Sequence, residues 1–292
     1  MRFAVLFLGL ALAAQGQDAT SRIRAQIEAL RESSKAKPDD NTQQMLKAAG
    51  DELEAGRLYV SLERLAQALD YFRGARSAAD LAGTVNDGLP AFEAEWQKVR
   101  HDLEGLTRDL QTGNWTASPA AVRALAEVAA VKAVPLADGG RGFAMSTRPA
   151  DGLFYLGQAQ GEAEFARWCA SLKIPRKGRE ATVRSLLPEL LALQQQVNGA
   201  FQPPRSIELH SRFIALNATL KLARELDSAG LYHGALYAYL EAVRHFGMLD
   251  APAAETDITQ LRKRLQEYSN DDSIAQIFLE RAESYLAHGS AR

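Results

Sequence analysis

The chain has 292 residues, 34 of them basic and 36 acidic, for a formal net charge of −2, and 47% of it is hydrophobic. That balance excludes the basic surface that nucleic acid or an anionic membrane would need, and the apolar share is ample to core one large or two smaller domains. Cys169 is the only cysteine, which excludes an internal disulfide; it lies in a helical run beside Trp168 and reads as a small buried apolar residue.

The first residues, MRFAVLFLGLALAAQGQDA, place Arg2 before an apolar run from Phe3 to Leu12 and small residues at Ala13, Ala14 and Gly16. This pattern predicts a signal peptide over residues 1–16. The run is about half of the ~20 residues that span a bilayer, and no cysteine stands at the cleavage region to carry a lipid anchor. Removal of Arg2 with the leader leaves 33 basic against 36 acidic residues, net −3, in an exported protein that is periplasmic or secreted. No later stretch is apolar enough to cross a membrane.

From there the chain reads as helix after helix. Residues 21–32 carry Ile23, Ile27 and Leu30 on one face, and SSKAKPDDN ends that run. Asp40 or Asn41 can cap the next helix, with Met45, Leu46, Ala49 and Leu53 inward up to Ala55-Gly56. Leu58, Leu62, Leu65, Ala66 and Leu69 continue on a second helix that ends near Gly74. Phe92, Trp96, Val99, Leu103, Leu106 and Leu110 alternate in steps of four and three, predicting one packed seam, with Pro90 in its first turn and Gly113 at its end. Ser118-Pro119 opens a helix carrying Val122, Leu125, Val128 and Ala129, stopped by Pro135.

LADGGRGFAMSTRPA follows, and its Gly and Pro content predicts a loop or linker over residues 135–150 between a helical region 17–134 and a second one, 151–292. Gly139-Gly140-Arg141-Gly142 could form an anion nest there, although the strand and helix of a phosphate loop are missing. Leu153, Leu156, Gly157 and Phe165 begin a helix that runs past Cys169. Val183, Leu186, Leu190, Leu193 and Val197 mark the next, which Pro188 either kinks or restarts. Phe201-Gln202-Pro203-Pro204 is a stiff connection, and Ser206 caps a helix through Leu209, Phe213, Leu216 and Leu220. This helix goes on through Leu222, Ala223 and Leu226 to Ala229-Gly230, and another resumes at Tyr232, Ala235, Leu236, Tyr239 and Ala242. Ile258, Leu261, Leu265 and Tyr268, then Ile274, Ile277, Phe278, Ala282 and Leu286, complete the helices, with Asp271-Asp272 as turn and cap. The expected fold class is all-α, built of antiparallel hairpins that must stack to bury their apolar faces.

Two hairpins, 41–72 and 206–246, echo each other. Setting Gly56 on Gly230 places Leu58 on Tyr232, Ser61 on Ala235, Leu62 on Leu236, Leu65 on Tyr239, Ala68 on Ala242 and Ala49 on Ala223. Gly230, Tyr232, Ala235, Leu236, Tyr239 and Ala242 resemble the tetratricopeptide repeat, with its turn Gly, aromatic, Ala-Leu, Tyr and Ala. The first copy is weaker, with Leu58 for the aromatic and Ser61 for the Ala; both lack the repeat's opening aromatic and closing Pro. The resemblance implies an α-solenoid or irregular bundle, and a concave face of first helices that grips a peptide or protein partner. By position that face holds Gln43 and Lys47 in one copy and Asn217, Lys221 and Arg224 in the other.

Signs of catalysis are faint. The histidines at 101, 210, 233, 245 and 288 fall on separate segments without metal-ligand spacing, so no metal or cofactor is expected. Acidic pairs such as Asp39-Asp40 sit at helix starts, where the dipole explains them. Asn114 and Asn217 open glycosylation sequons. Tyr232 and Tyr239 are expected in the core and Tyr237 exposed. The leading expectation is an exported, non-catalytic envelope protein that mediates protein–protein interaction. Two alternatives stand beside it: an enzyme or small-ligand binder with a site between helices near His210, Glu241 and His245, and an architectural dimer joined through the Phe92–Leu110 seam. A closed polar pocket of converging histidines and carboxylates would favour the ligand site, and an open groove the partner protein.

Overall fold

The computed structural model describes residues 19–113, 115, 118–172, 174, 182–200, 207–250 and 272–288. The expected leader, the Asn114 sequon, the Phe201–Pro204 connection, the Ser206 cap and the helix over 258–268 lie outside these residues. The described chain is 87% helical with ten α-helices and no strand, so the all-α expectation holds. In chain order these are α1 (Ala19–Ser34), α2 (Asp40–Glu54), α3 (Leu58–Leu81), α4 (Leu89–Thr112), α5 (Ala120–Ser146), α6 (Leu153–Ser171), α7 (Leu187–Ala200), α8 (Ile207–Ser228), α9 (Tyr232–Asp250) and α10 (Ser273–Ala287).

Local chemistry explains many of their ends. Asp39 accepts from the Thr42 amide at 2.8 Å to cap α2, and Asp272 accepts from those of Ile274 and Ala275 at 2.9 and 3.3 Å to cap α10. Pro90 stands in the first turn of α4, and Gly113 follows its last residue. Between α2 and α3, and between α8 and α9, the chain turns through Gly56 (φ 78°) and Gly230 (φ 70°), a left-handed conformation that favours glycine. Residues 41–72 and 207–246 are thus helical hairpins, with α2 packed on α3 and α8 on α9.

The most extensive helix pairings are α5 with α6 and α3 with α6. Their closeness comes from glycine. A Cβ on Gly157 would stand 2.2 Å from the Arg73 carbonyl oxygen, and one on Gly161 2.8 Å from that of Leu69, so α6 lies almost directly on the α3 backbone. The α4 seam is buried as expected, with Phe92, Val99, Leu103, Leu106 and Leu110 inside and the helix laid on α5 and α6.

Two expectations are corrected. The helix expected to end near Gly74 runs to Leu81, and Gly74 faces the Phe154 ring instead of a turn. The loop expected over 135–150 is helical through Ser146, with Pro135 inside α5, and only Thr147–Gly152 leaves the α-helix. Packing overrides the local preference there. Gly140 fits against Gly152 and Leu156, while Arg141 pairs with Glu93 at 2.6 Å and covers the Trp96 ring at 4.5 Å. The Gly139–Gly142 run is therefore helix and no anion nest. Nor is there a linker between separate halves: α5 and α6 flank Thr147–Gly152 and pack on each other within one apolar core.

Candidate ligand-binding site

A cavity of about 310 Å³ opens between the two hairpins, lined from α3, α5, α6, α9 and α10. Helical spacing sets each contribution: Val60, Glu63, Arg64, Gln67 and Asp70 form one face of α3, and Leu125, Val128, Ala129 and Lys132 one face of α5. Glu162 and Phe165 enter from α6; Tyr237, Glu241 and Arg244 from α9; Arg281, Ser284 and Tyr285 from α10. The floor is buried and mostly apolar (Val60, Leu125, Val128, Ala129, Phe165), whereas Gln67, Lys132 and Tyr285 are exposed at the rim.

One wall is a tied network. Arg281 donates to both oxygens of Glu63 (2.8 Å for Nε), to Glu241 and to the Tyr237 hydroxyl, and lies over the Tyr237 ring at 5.4 Å. Tyr237 donates to Glu63 at 2.9 Å, and Arg244 donates to the second Glu241 oxygen at 2.9 Å. Burial works against the charge on Arg281, but Glu63, Tyr237 and Glu241 outweigh it and hold the guanidinium firmly protonated.

The opposite wall differs. Gly161 lets α6 onto the backbone at Leu69 and Asp70, and Asp70 and Glu162 line the same cavity. Burial raises both carboxyls; Glu162 raises Asp70 further, and Lys132 acts against the rise in each. Asp70 Oδ1 is buried without a hydrogen-bond partner among the described residues. Arg64 donates to Gln67 at 3.0 Å, and neither Arg64 nor Lys132 forms an ion pair among those residues.

Two further buried carboxylates fix the helices around the cavity. Glu280 on α10 accepts from the Tyr59 and Val60 amides at 2.6 and 3.2 Å, supplying the N-terminus of α3, whose own preceding residue, Arg57, makes no side-chain cap. Glu127 on α5 accepts from the Gly234 amide at 2.7 Å near the start of α9 and from Arg123 at 2.6 Å. Burial raises both acids, Glu280 to about 7.

None of the five residues expected on a partner-binding face lines this cavity. Gln43 on α2 donates to Ser34 at 2.6 Å, and Lys47 is exposed. On α8, Asn217 donates to its own helix at Phe213 (2.9 Å), Lys221 faces Glu225 at 3.7 Å and Arg224 is turned onto Gln194 of α7. No substantial packing joins α2 to α8, and α7 lies along α8. Of the alternative set only Glu241 lines the cavity; His245 stands one turn on, 3.8 Å from Glu241, with burial and then Arg244 lowering its pKa, while His210 is exposed on α8. Tyr237 is buried, contrary to its expected exposure, because it packs directly on Arg281 and Phe278 of α10; Tyr232 and Tyr239 are only half-buried. Cys169 is fully buried, which raises its thiol far above its ordinary value.

Glu63, Arg64, Gln67 and Asp70 were in view in the sequence as a polar face opposite Leu62, Leu65 and Leu69, a pattern indistinguishable from a solvated helix side. Only the cover provided by α6, α9 and α10 gives it meaning. No group of three or more His, Cys, Asp or Glu among the described residues is arranged to hold a metal ion, and no described helix is long and apolar enough to cross a membrane. No protein family, curated relative or solved structure matches the chain, so its own geometry has to carry the functional argument.

Proposed function

We propose that this is a helical binding protein that takes a small polar ligand in the cavity between its two hairpins. The observation that carries the reading is the Asp70–Glu162 pair: two carboxyls, one of them with a buried oxygen that has no hydrogen-bond partner among the described residues, at a cavity open to solvent. Burial of such groups costs free energy that a plain core would avoid by using apolar side chains, and a ligand that satisfies them recovers it. At about 310 Å³ the cavity is near the lower end of the ~300–1,000 Å³ typical of ligand sites, fitting a metabolite rather than a folded partner.

A partner-binding face finds less support, since its expected residues sit on two helices that do not pack together and Arg224 is occupied by α7. The matched turns of the two hairpins support the resemblance to tetratricopeptide repeats, and the leader pattern in residues 1–16 supports export to the periplasm or beyond.

Thermal unfolding in the presence of small anionic, cationic and neutral metabolites tests the reading. A ligand at a hundredfold excess over its Kd stabilises by about 2.7 kcal/mol. Gln67→Trp, which fills the rim of the cavity, is expected to abolish that gain while leaving the helical circular dichroism intact. Undiminished stabilisation of a folded Gln67→Trp protein would place the ligand elsewhere, and a protein that no metabolite stabilises would end the proposal.

A further inference from the structure

The charges that line the cavity fall into two sets. Four carboxylic acids (Glu63, Asp70, Glu162, Glu241) stand against four cations (Arg64, Lys132, Arg244, Arg281), so the count is even. Glu63 and Glu241 are tied to Arg281 and Arg244 by ion pairs. The other four make no ion pair among the described residues, although they line the same small space. Lys132, exposed at the rim on α5, is near enough to act on both the Asp70 and the Glu162 carboxyl, yet it bonds to neither. Opposite charges are thus held close and apart. An ion pair left open keeps the cost of burying its acids without the short contact that offsets it. A ligand with one charge matches one side and leaves the other, whereas a molecule carrying both signs closes the gap. The floor beside these groups (Val60, Leu125, Val128, Phe165) is buried and apolar.

Resting on the binding function proposed above, we infer that the ligand is a free α-amino acid with an apolar side chain. Its ammonium is received by Asp70 and Glu162, its carboxylate by Lys132 and Arg64, and its side chain by the apolar floor. Two neighbouring carboxyls attract an ammonium even when they share a proton, since one negative charge remains. The opposite charges of an α-amino acid sit on a single carbon, so both engage within one gap. Each end makes charge-assisted hydrogen bonds, and the side chain adds apolar burial.

Calorimetric titration of the full-length protein at neutral pH decides this. The probes are glycine and the L-forms of alanine, valine, leucine, methionine and phenylalanine. Each of the latter is set beside the amine that lacks its carboxylate and the acid that lacks its ammonium. The tightest amino acid is expected to bind about tenfold or more tighter than either counterpart, because each leaves one sign unmatched. Glycine, with no side chain for the floor, is expected to bind about tenfold more weakly. Lys132→Gln is expected to lose about tenfold in amino-acid affinity while its binding of the amine is undiminished. Lys132 is exposed and makes no ion pair among the described residues, so the variant keeps its fold, as circular dichroism would verify. Equal or tighter binding of the amine, the acid or glycine would overturn the inference and leave the binding function standing. So would amino-acid binding unchanged by Lys132→Gln, or stabilisation by another metabolite and by none of these amino acids. A protein that no metabolite stabilises would remove both.

Discussion

Hairpins α2–α3 and α8–α9 close with the same backbone bonds. Ala55 and Ala229 donate to Asp51 and Glu225 at 3.1 and 3.0 Å, Gly56 and Gly230 to Leu53 and Asp227 at 3.1 and 2.9 Å, and Arg57 and Leu231 to Glu52 and Leu226, both at 2.9 Å. Even the start of the second helix is treated alike, since Glu280 takes the amides of Tyr59 and Val60, and Glu127 takes that of Gly234, the position matching Val60. Their neighbours differ. α3 carries α6 pressed to its backbone, whereas α9 lies on α5 through side chains, with a Cβ at Gly234 meeting the Glu127 and Leu226 side chains at 2.9 Å. Matching positions therefore carry unlike chemistry: Glu63 stands where Tyr237 does, Gln67 where Glu241 does and Asp70 where Arg244 does, and all six line the cavity. A shared local turn fixes two helix pairs, and the difference in what covers them makes a cavity with one wall tied by ion pairs and one, bearing Asp70 and Glu162, that is not.

The difference in cover is easiest to break at glycine. Gly157→Ala would put a Cβ 2.2 Å from a backbone oxygen of α3, which cannot step aside, so a loss of about 3 kcal/mol in urea denaturation is expected. Gly234→Ala meets only side chains, which can shift, and alanine's better helix propensity offsets some of the strain; about 1 kcal/mol is expected. Equal losses would mean that α6 is not the tighter neighbour. Gly157→Ala also pushes apart the helices that bear Asp70 and Glu162, so it should weaken the ligand-induced gain in melting temperature, where Gly234→Ala should not.

The two borrowed caps sharpen the comparison through pH. Glu280 has a folded pKa of about 7 against an ordinary 4.5, so the stability it favours is full below about pH 4.5 and is lost as pH rises through 7. That shift corresponds to about 3 kcal/mol as an upper figure. Glu280→Gln still accepts the α3 amides and should flatten the stability profile between pH 4.5 and 7, with no loss at pH 8. Glu127 is raised too, but it also answers Arg123 at 2.6 Å, so Glu127→Gln should cost about 1 kcal/mol at pH 8 by stranding that guanidinium. Denaturant titrations at pH 5 and 8 separate the outcomes, and a parallel response of the two variants would deny Arg123 its role.

How much of this was legible in the sequence follows from how local each feature is. The hairpins, the α4 seam and the Asp272 cap rest on spacing and on residues within a turn or two, and each can be read along the chain. Pro135 and the glycines at 139, 140 and 142 misled for the same reason: their local preference is against helix, and what overrules it is the fit of Gly140 to Gly152 and of Arg141 to Glu93 and Trp96, contacts between helices. Tyr237 looked exposed because its partner, Arg281, lies 44 positions away, and Glu280 meets Tyr59 across 221 positions. No periodicity encodes such pairings, so the cavity cannot be read along the chain.

The smallest effect is the one that tests the likeness itself. Gly56 and Gly230 share a left-handed φ of 78° and 70°, and a Cβ at either would meet nothing within 4 Å. Substitution to alanine therefore costs only the strain of an L-residue in that conformation, about 1 kcal/mol, less the entropy gained by restricting the unfolded chain. With space open at both positions the two losses should agree, although the helices that follow are packed so differently. Urea midpoints of Gly56→Ala and Gly230→Ala measure this directly. A much larger loss at one position would mean that its turn is held by something beyond the backbone bonds that the hairpins share, and the equivalence of Glu63 with Tyr237 and of Asp70 with Arg244 across the cavity would lose its footing.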